Sequence, residues 1–410
     1  MKKISGNPYL QKMENKITID QVLIEQILEI SDLPVMIFLE NRIRDNIKNF
    51  NYVFKKTFNN YEGFYSFKAN FLPEICEIIQ SEGLGAELVG ILELQLALKM
   101  GFPSNKLIVG GPYLSRELIE ESIKKNVKEI IVYNLNDLEK INEIAGKLKS
   151  IQNICIRINS QKYNSKLGVE LNNRTMKKLT HLIDRCKNVK LTTVLSHYTT
   201  QMNNIEQYKK NIKVLAHNVK DLIKEGNFID NINLGGGFPE ASIMHKIQLE
   251  QIAIQIKNTL DDFDLNYKNI YFEPGRYFVG DAGLYITSIT KVTHNRWIFL
   301  NIGNNICPKF ARCSLRFYNA SKINYPHKYK TSIAGIMPTD QDVLAKDYFF
   351  TENLDEGDII LITNVGAYTL TFSNRFPYIL PKIYLIKSKE IKKIFDPVTD
   401  HDFSIKMITN

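Results

Sequence analysis

No apolar run in this 410-residue sequence reaches the roughly 18 residues that a membrane-crossing helix needs, so a membrane partner is not expected. The N-terminal stretch MKKISGNPYLQKMENK carries lysines but no apolar segment behind them. A secretory leader is therefore not expected, and a cytoplasmic location is. Cysteine is scarce: Cys76, Cys155, Cys186, Cys307 and Cys313 are scattered, and no CxxC pair occurs. That argues against a disulfide framework or a zinc site and suits a reducing compartment. The histidines stand singly, with no HxH or HExxH, so no metal is expected. No basic run is interleaved with aromatic residues, which removes the usual pattern for nucleic-acid binding.

What is present is ordinary globular chemistry in a chain long enough for two domains: 44% hydrophobic and 24% charged residues. The net charge is +9. Lysines such as Lys178, Lys209, Lys210 and Lys213 read as solvated helix faces; the sharper alternatives are attraction of anionic substrates or of an acidic partner protein.

From about residue 33 to 280, short apolar runs alternate with helix-length segments. Strand candidates are PVMIF (35–39), GFYSFKA (63–69), KLIVGG (106–111), EIIVYN (129–134), ICIRIN (154–159), LTTVLSH (191–197), INLGGG (232–237) and IYFEPG (270–275). Helical periodicity fills the gaps, as in LPEICEIIQSEG and LSRELIEESIKKN, the latter with Ser115 as an N-cap. Repeated βα units of this number and length predict a (β/α)8 TIM barrel, over residues 40–280. Beyond Gly280 the runs LYITSITKV, WIFLNIG, DIILITNV and KIYLIK are β-branched and aromatic. They predict an all-β domain of sandwich or barrel type, formed by 281–410 with residues 1–39. Near the N-terminus, TIDQVLIEQILEI has the pattern of an amphipathic helix.

Polar residues and glycines recur where the barrel strands should end: Lys68, Glu87, Arg157, His197, Gly235, Gly236, Gly237, Glu273 and Arg276. Active sites of such barrels lie at that end. Lys68 follows an apolar stretch. Desolvation there would lower its pKa and make the amine a nucleophile for imine formation; the alternative is a lysine whose head escapes to solvent. The glycine run offers unhindered N–H groups that could cradle a phosphate, or it is simply a tight strand-to-helix turn.

The segments YSFKAN (65–70), GLGAELVGILELQLALKMGFP (83–103), RINS…SKLGV (157–169), SHYTTQ (196–201), NLGGGF (233–238), EPGRYFVGDAG (273–283), GIMPTDQDVLAKD (335–347) and GDIILITNVGAYTLTFSNRF (357–376) make the reading specific. In order and spacing they resemble the pyridoxal 5'-phosphate (PLP) dependent decarboxylases of the alanine-racemase fold (fold type III). That group contains diaminopimelate, ornithine and arginine decarboxylases, and the likeness covers about residues 33–385. The resemblance implies that Lys68 carries the cofactor as an imine and that His197 stacks on its ring. It implies that Glu273 pairs with the ring nitrogen. Thr200, Gly235, Gly236, Gly237, Gly275, Arg276 and Tyr368 would lie on the phosphate side. Glu87, Glu93 and Arg157 would line or buttress the site. Arg276, Arg312, Thr339, Asp340 and Tyr368 would face the substrate, Thr339 and Asp340 reaching the neighbouring subunit of a homodimer.

Glu273 favours a decarboxylase over a racemase, because a carboxylate keeps the ring nitrogen protonated and deepens the electron sink, whereas racemases of this fold face that nitrogen with arginine. Three departures stand against the family pattern. Pro338 replaces the cysteine thought to reprotonate the product carbanion. Thr339 replaces the glutamate that reads the distal ammonium of diaminopimelate. Thr199 replaces a glycine. Thr339 resembles the branch with the butirosin-pathway decarboxylase, which acts on glutamate loaded on an acyl carrier protein. The expected function is decarboxylation of a small amino-acid-like substrate, free or carrier-presented. A racemase or transaminating outcome and a non-catalytic binding protein of the same fold are the alternatives.

Overall fold

The computed structural model describes residues 2–160, 165–308 and 315–400. The chain forms two compact units. One consists of Ile47–Pro239 and Met244–Gly275; the other takes the chain up to Asn46, the short segment Glu240–Ile243 and the chain from Arg276 onward.

The first unit is a closed ring of eight parallel strands: β1 (Tyr61–Ser66), β2 (Gly85–Leu88), β3 (Leu107–Gly110), β4 (Glu129–Val132), β5 (Gln152–Ile158), β6 (Val189–Ser196), β7 (Asn231–Asn233) and β8 (Asn269–Phe272). Each pairs with its sequence neighbour, and β8 closes on β1 with Ile270 opposite Tyr61. Parallel neighbours cannot be joined by a tight hairpin, so a longer crossover connects each strand to the next. The TIM barrel expected from the alternating pattern is present.

Local sequence explains the helices. Pro73 opens Pro73–Ser81, where a missing N–H does no harm. Ser115 caps Arg116–Lys124, its Oγ accepting from Leu118 N–H at 3.0 Å. Inside the ring, Phe64, Ile108, Ile131, Cys155, Leu195 and Tyr271 form one buried layer. Outside β8, Phe272 packs edge-on against Phe54, with ring centroids 4.5 Å apart, within a cluster that includes Phe50 and Phe238.

Two strand expectations are corrected. Val35–Leu39, counted among the eight alternating strand candidates although the domain bounds put residues 1–39 with the β domain, pairs with Gly283–Val292 and with Lys382–Lys387 in the sheet of the other unit. The eighth barrel position belongs to β2, whose sequence GAEL is short and carries a glycine and a carboxylate. A fully buried apolar run reads alike in either sheet, so periodicity could not separate them.

The second unit is built on a nine-stranded sheet that branches at Gly283–Val292, which pairs with Trp297–Leu300, Val35–Leu39 and Ile359–Thr363. The N-terminal residues form a separate four-stranded antiparallel sheet, Lys2–Ile4, Asn7–Met13, Lys16–Ile19 and Val22–Leu23. The helix expected over TIDQVLIEQILEI begins only at Ile24. Asp20 and Gln21 take positive φ (46° and 70°), the conformation of a tight hairpin turn, and so turn the preceding residues into strands. The buried side chains of Arg42, Asn46 and Asn7 converge on Asp281: Arg42 Nη2 donates to its carboxylate at 2.6 Å, and Asn46 Nδ2 at 2.9 Å.

Candidate active site at the strand ends of the barrel

Lys68 lies just beyond β1, in a single 3-10 turn (Phe67–Ala69) whose flanking residues are buried. Its side chain is 42% exposed and its amine donates to Glu87, a β2 carboxylate only 2% exposed. Ser66 Oγ donates to the same carboxylate oxygen. The lysine is thus neither swallowed by the core nor loose in solvent: the apolar neighbours fix its stem and Glu87 fixes its head.

Glu273 stands one residue past β8. Asn233, the last residue of β7, donates from Nδ2 to Glu273 Oε1 at 2.8 Å, and its Oδ1 accepts the Gly235 N–H at 2.8 Å. One amide therefore ties the carboxylate of one strand to the glycine turn of the next. Burial raises the Glu273 pKa to about 7; the Glu87 charge adds to this, while Lys68 and Asn233 oppose it. Glu93 reaches about 7 for the same leading reason, although it accepts the Val89 N–H at 2.7 Å. Burial is the leading cause at both groups, and the Lys68 charge opposes it at both.

The glycine run is dictated by crowding. A Cβ on Gly236 would lie 2.3 Å from the Glu273 carbonyl oxygen, and one on Gly237 (φ +92°) 2.3 Å from that of Thr199. Loops after β6, β7 and β8 meet here backbone to backbone. The Gly236 N–H donates to His197 Nδ1 at 3.3 Å, which places the proton of a neutral imidazole on Nε2. Because Gly235 N–H is taken by Asn233, the first glycine supplies a left-handed backbone rather than an anion donor.

Arg157 on β5 donates from Nη1 to Tyr133 Oη at 2.7 Å, and its guanidinium lies 4.8 Å from the Tyr133 ring centroid. Its Nε is buried without a hydrogen-bond partner among the described residues. Burial raises the Tyr133 pKa. Thr200 is half-buried in the loop after β6, and Gly275 closes the β8 loop.

The remaining expected residues lie in the second unit. Arg276 is buried, with its guanidinium carbon 4.9 Å from the Tyr368 ring. Tyr368 holds a positive φ of 63°. Pro338, Thr339 and Asp340 are exposed on a turn. Arg312 lies outside the described residues. Asn233 and Tyr133 sit inside or beside the sequence motifs, yet neither was expected to have a role. Their signal was position: a polar residue ending one strand and an aromatic just past another.

Among known proteins, the family described as pyridoxal-dependent decarboxylase, pyridoxal binding domain, matches residues 42–280. Diaminopimelate decarboxylase of Aquifex aeolicus is 25% identical over 393 residues, covering 90% of each chain. L-glutamyl-[BtrI acyl-carrier protein] decarboxylase of Niallia circulans is 26% identical over 342 residues, covering 76% of this chain and 78% of the relative. The crystal structure of diaminopimelate decarboxylase from M. jannaschii shares the fold at a TM-score of 0.88 and 24% identity, covering 98% of each chain. With a match across more than half its length, the chain belongs to the pyridoxal-dependent decarboxylases and is a PLP-dependent amino-acid carboxy-lyase.

Proposed function

We propose that Lys68 is the residue that holds PLP, with Glu273 facing the ring nitrogen, and that the substrate is an amino acid other than diaminopimelate. The observation that carries the cofactor reading is the half-buried Glu273, oriented by Asn233 and interacting electrostatically with Lys68 within the barrel unit. A carboxylate held near neutrality by burial is suited to a cationic partner, because a protonated ring nitrogen would return it to the ionised form. Glycine backbones with no room for a Cβ and a buried Arg157 Nε still open as a donor add to the fit.

Bound PLP supplies an electron sink for the carbanion left when CO2 departs. The chain supplies the rest. Lys68, with its ammonium held on Glu87, offers the amine. His197 presents an imidazole whose Nδ1 is occupied by Gly236 N–H, which fixes the ring plane. Gly237, Thr200, Arg276 and Tyr368 are the proposed phosphate ligands; Gly236, expected among them, has its N–H engaged by His197. With proline at 338, the proton returned to product comes from Lys68 or water. Glu273 supports decarboxylation over racemisation, and the whole set together supports an enzyme over a binding protein.

Thr339 carries no charge where the family resemblance puts the glutamate that reads the distal ammonium of diaminopimelate. An amino acid lacking that ammonium, including a glutamyl group presented on an acyl carrier protein, fits better. The enzyme acts as a homodimer, with Thr339 and Asp340 serving the neighbouring subunit's site. Purified protein should show the visible absorbance of a protonated PLP imine, and Lys68→Ala should abolish it. A protein that takes up no PLP overturns the cofactor reading. CO2 release assayed across free and carrier-bound amino acids tests the substrate, and preference for diaminopimelate overturns that part.

A further inference from the structure

Arg276 is 3% exposed, and it forms an ion pair with Glu240, which is fully buried. Nη1 of the arginine lies 3.4 Å from Glu240 Oε1. Glu240 begins the short segment Glu240–Ile243, three residues after the glycine run, and its carbonyl accepts the Ile243 N–H at 2.8 Å. Gly280, one helical turn beyond Arg276, is where the two stems meet. A Cβ there would lie 2.7 Å from Glu240 Cγ and 3.1 Å from Arg276 Cγ.

This pair is poorly made for stability alone. A buried carboxylate and guanidinium offset their desolvation only when the geometry is good and the remaining polar atoms are satisfied. Here the contact is long, and Glu240 Oε2 is buried with no hydrogen-bond partner among the described residues. Burial accordingly raises the Glu240 pKa, with the Arg276 charge opposing it. What the pair does achieve is direction. A guanidinium is a planar fork, and fixing that plane between a carboxylate and the Tyr368 ring removes rotamer freedom before any anion arrives.

We propose that Glu240 is a positioning residue for the cofactor phosphate: it fixes the guanidinium of Arg276 against Tyr368, and Gly280 leaves the space in which the pair closes. The inference rests on the reading of Arg276 and Tyr368 as phosphate ligands. Glu240 does not itself touch the phosphate, which a carboxylate would repel.

The test compares the affinity of the full-length apoprotein for PLP with that for pyridoxal, which lacks the phosphate. Glu240→Gln keeps the shape and removes the charge. Gly280→Ala keeps the charge and wedges the pair apart. Both should weaken PLP by about tenfold, the scale of one charge-assisted hydrogen bond, and leave pyridoxal binding and the apoprotein melting temperature nearly unchanged. If Arg276→Met leaves PLP affinity unchanged, the phosphate reading itself fails, and the inference with it. If Arg276→Met weakens PLP but the other two variants do not, or if Glu240→Gln tightens it, the phosphate reading stands and the positioning role is overturned. Equal weakening of PLP and pyridoxal, with a lower melting temperature, would make the pair structural and would also overturn it.

Discussion

At the barrel rim, Glu87 and Asn233 are buried, Glu87 accepting from Ser66 and Asn233 donating to a Glu273 whose pKa burial has raised. On the turn at 335–342, Thr339 and Asp340 are exposed. The buried residue there is Asp342, whose carboxylate accepts the Asn304 N–H at 2.7 Å and the Met337 N–H at 2.8 Å. So in the first region the buried groups hold those of the proposed chemistry; in the second the buried group is a frame that holds up an exposed turn. Reaction chemistry depends on close placement of a few groups, which burial enforces. Specificity can be altered by changing exposed side chains on a fixed frame.

The sharpest way to break this contrast is at Lys68. Lys68→Ala should reduce CO2 release to background and remove the imine absorbance, while Thr339→Glu should retain the absorbance and alter only which amino acid is turned over. If Thr339→Glu abolishes cofactor absorbance, the two regions are not separable in this way.

Glu273→Gln ranks next. Removing a preorganised charge from the site should lower kcat by about 10²–10³-fold, with PLP still bound. Full activity in that variant would show that Glu273 does not govern the ring nitrogen.

Gly236→Ala tests the crowding at the rim. Its Cβ would meet the Glu273 carbonyl at 2.3 Å, and overpacking of this kind costs about 1–3 kcal/mol. A melting curve should show the loss. Asp340→Ala, on the exposed turn, should leave melting unchanged.

The smallest effect is in pH. Glu273 and Glu93 have folded-state pKa values raised from 4.5 to about 7, so between these limits the native apoprotein binds more protons than the unfolded chain. Their contribution to stability is therefore present at low pH and declines as pH rises through that window. For each group, a tenfold difference in proton affinity between the folded and unfolded states corresponds to about 1.4 kcal/mol. Apoprotein melting temperatures measured across the range should fall less steeply in Glu93→Gln than in the parent. An identical slope would mean that Glu93 is not buried as a proton carrier.

The barrel and its cofactor were legible along the chain, and so were candidate site residues, because each βα unit places its strand-end residue locally. Lys68, His197, the glycine run and Glu273 therefore stand out one motif at a time. Tertiary structure alone decided that Val35–Leu39 joins a sheet with Gly283–Val292 and Lys382–Lys387, since an apolar strand does not encode its partners. It also decided that Asn233 joins β8 to the glycine turn, that Gly235 N–H is already occupied, and that Glu240 faces Arg276 across 36 residues of sequence. Such pairings depend on which strand ends lie side by side and on how deeply a charge is buried, and neither quantity exists until the chain has closed on itself.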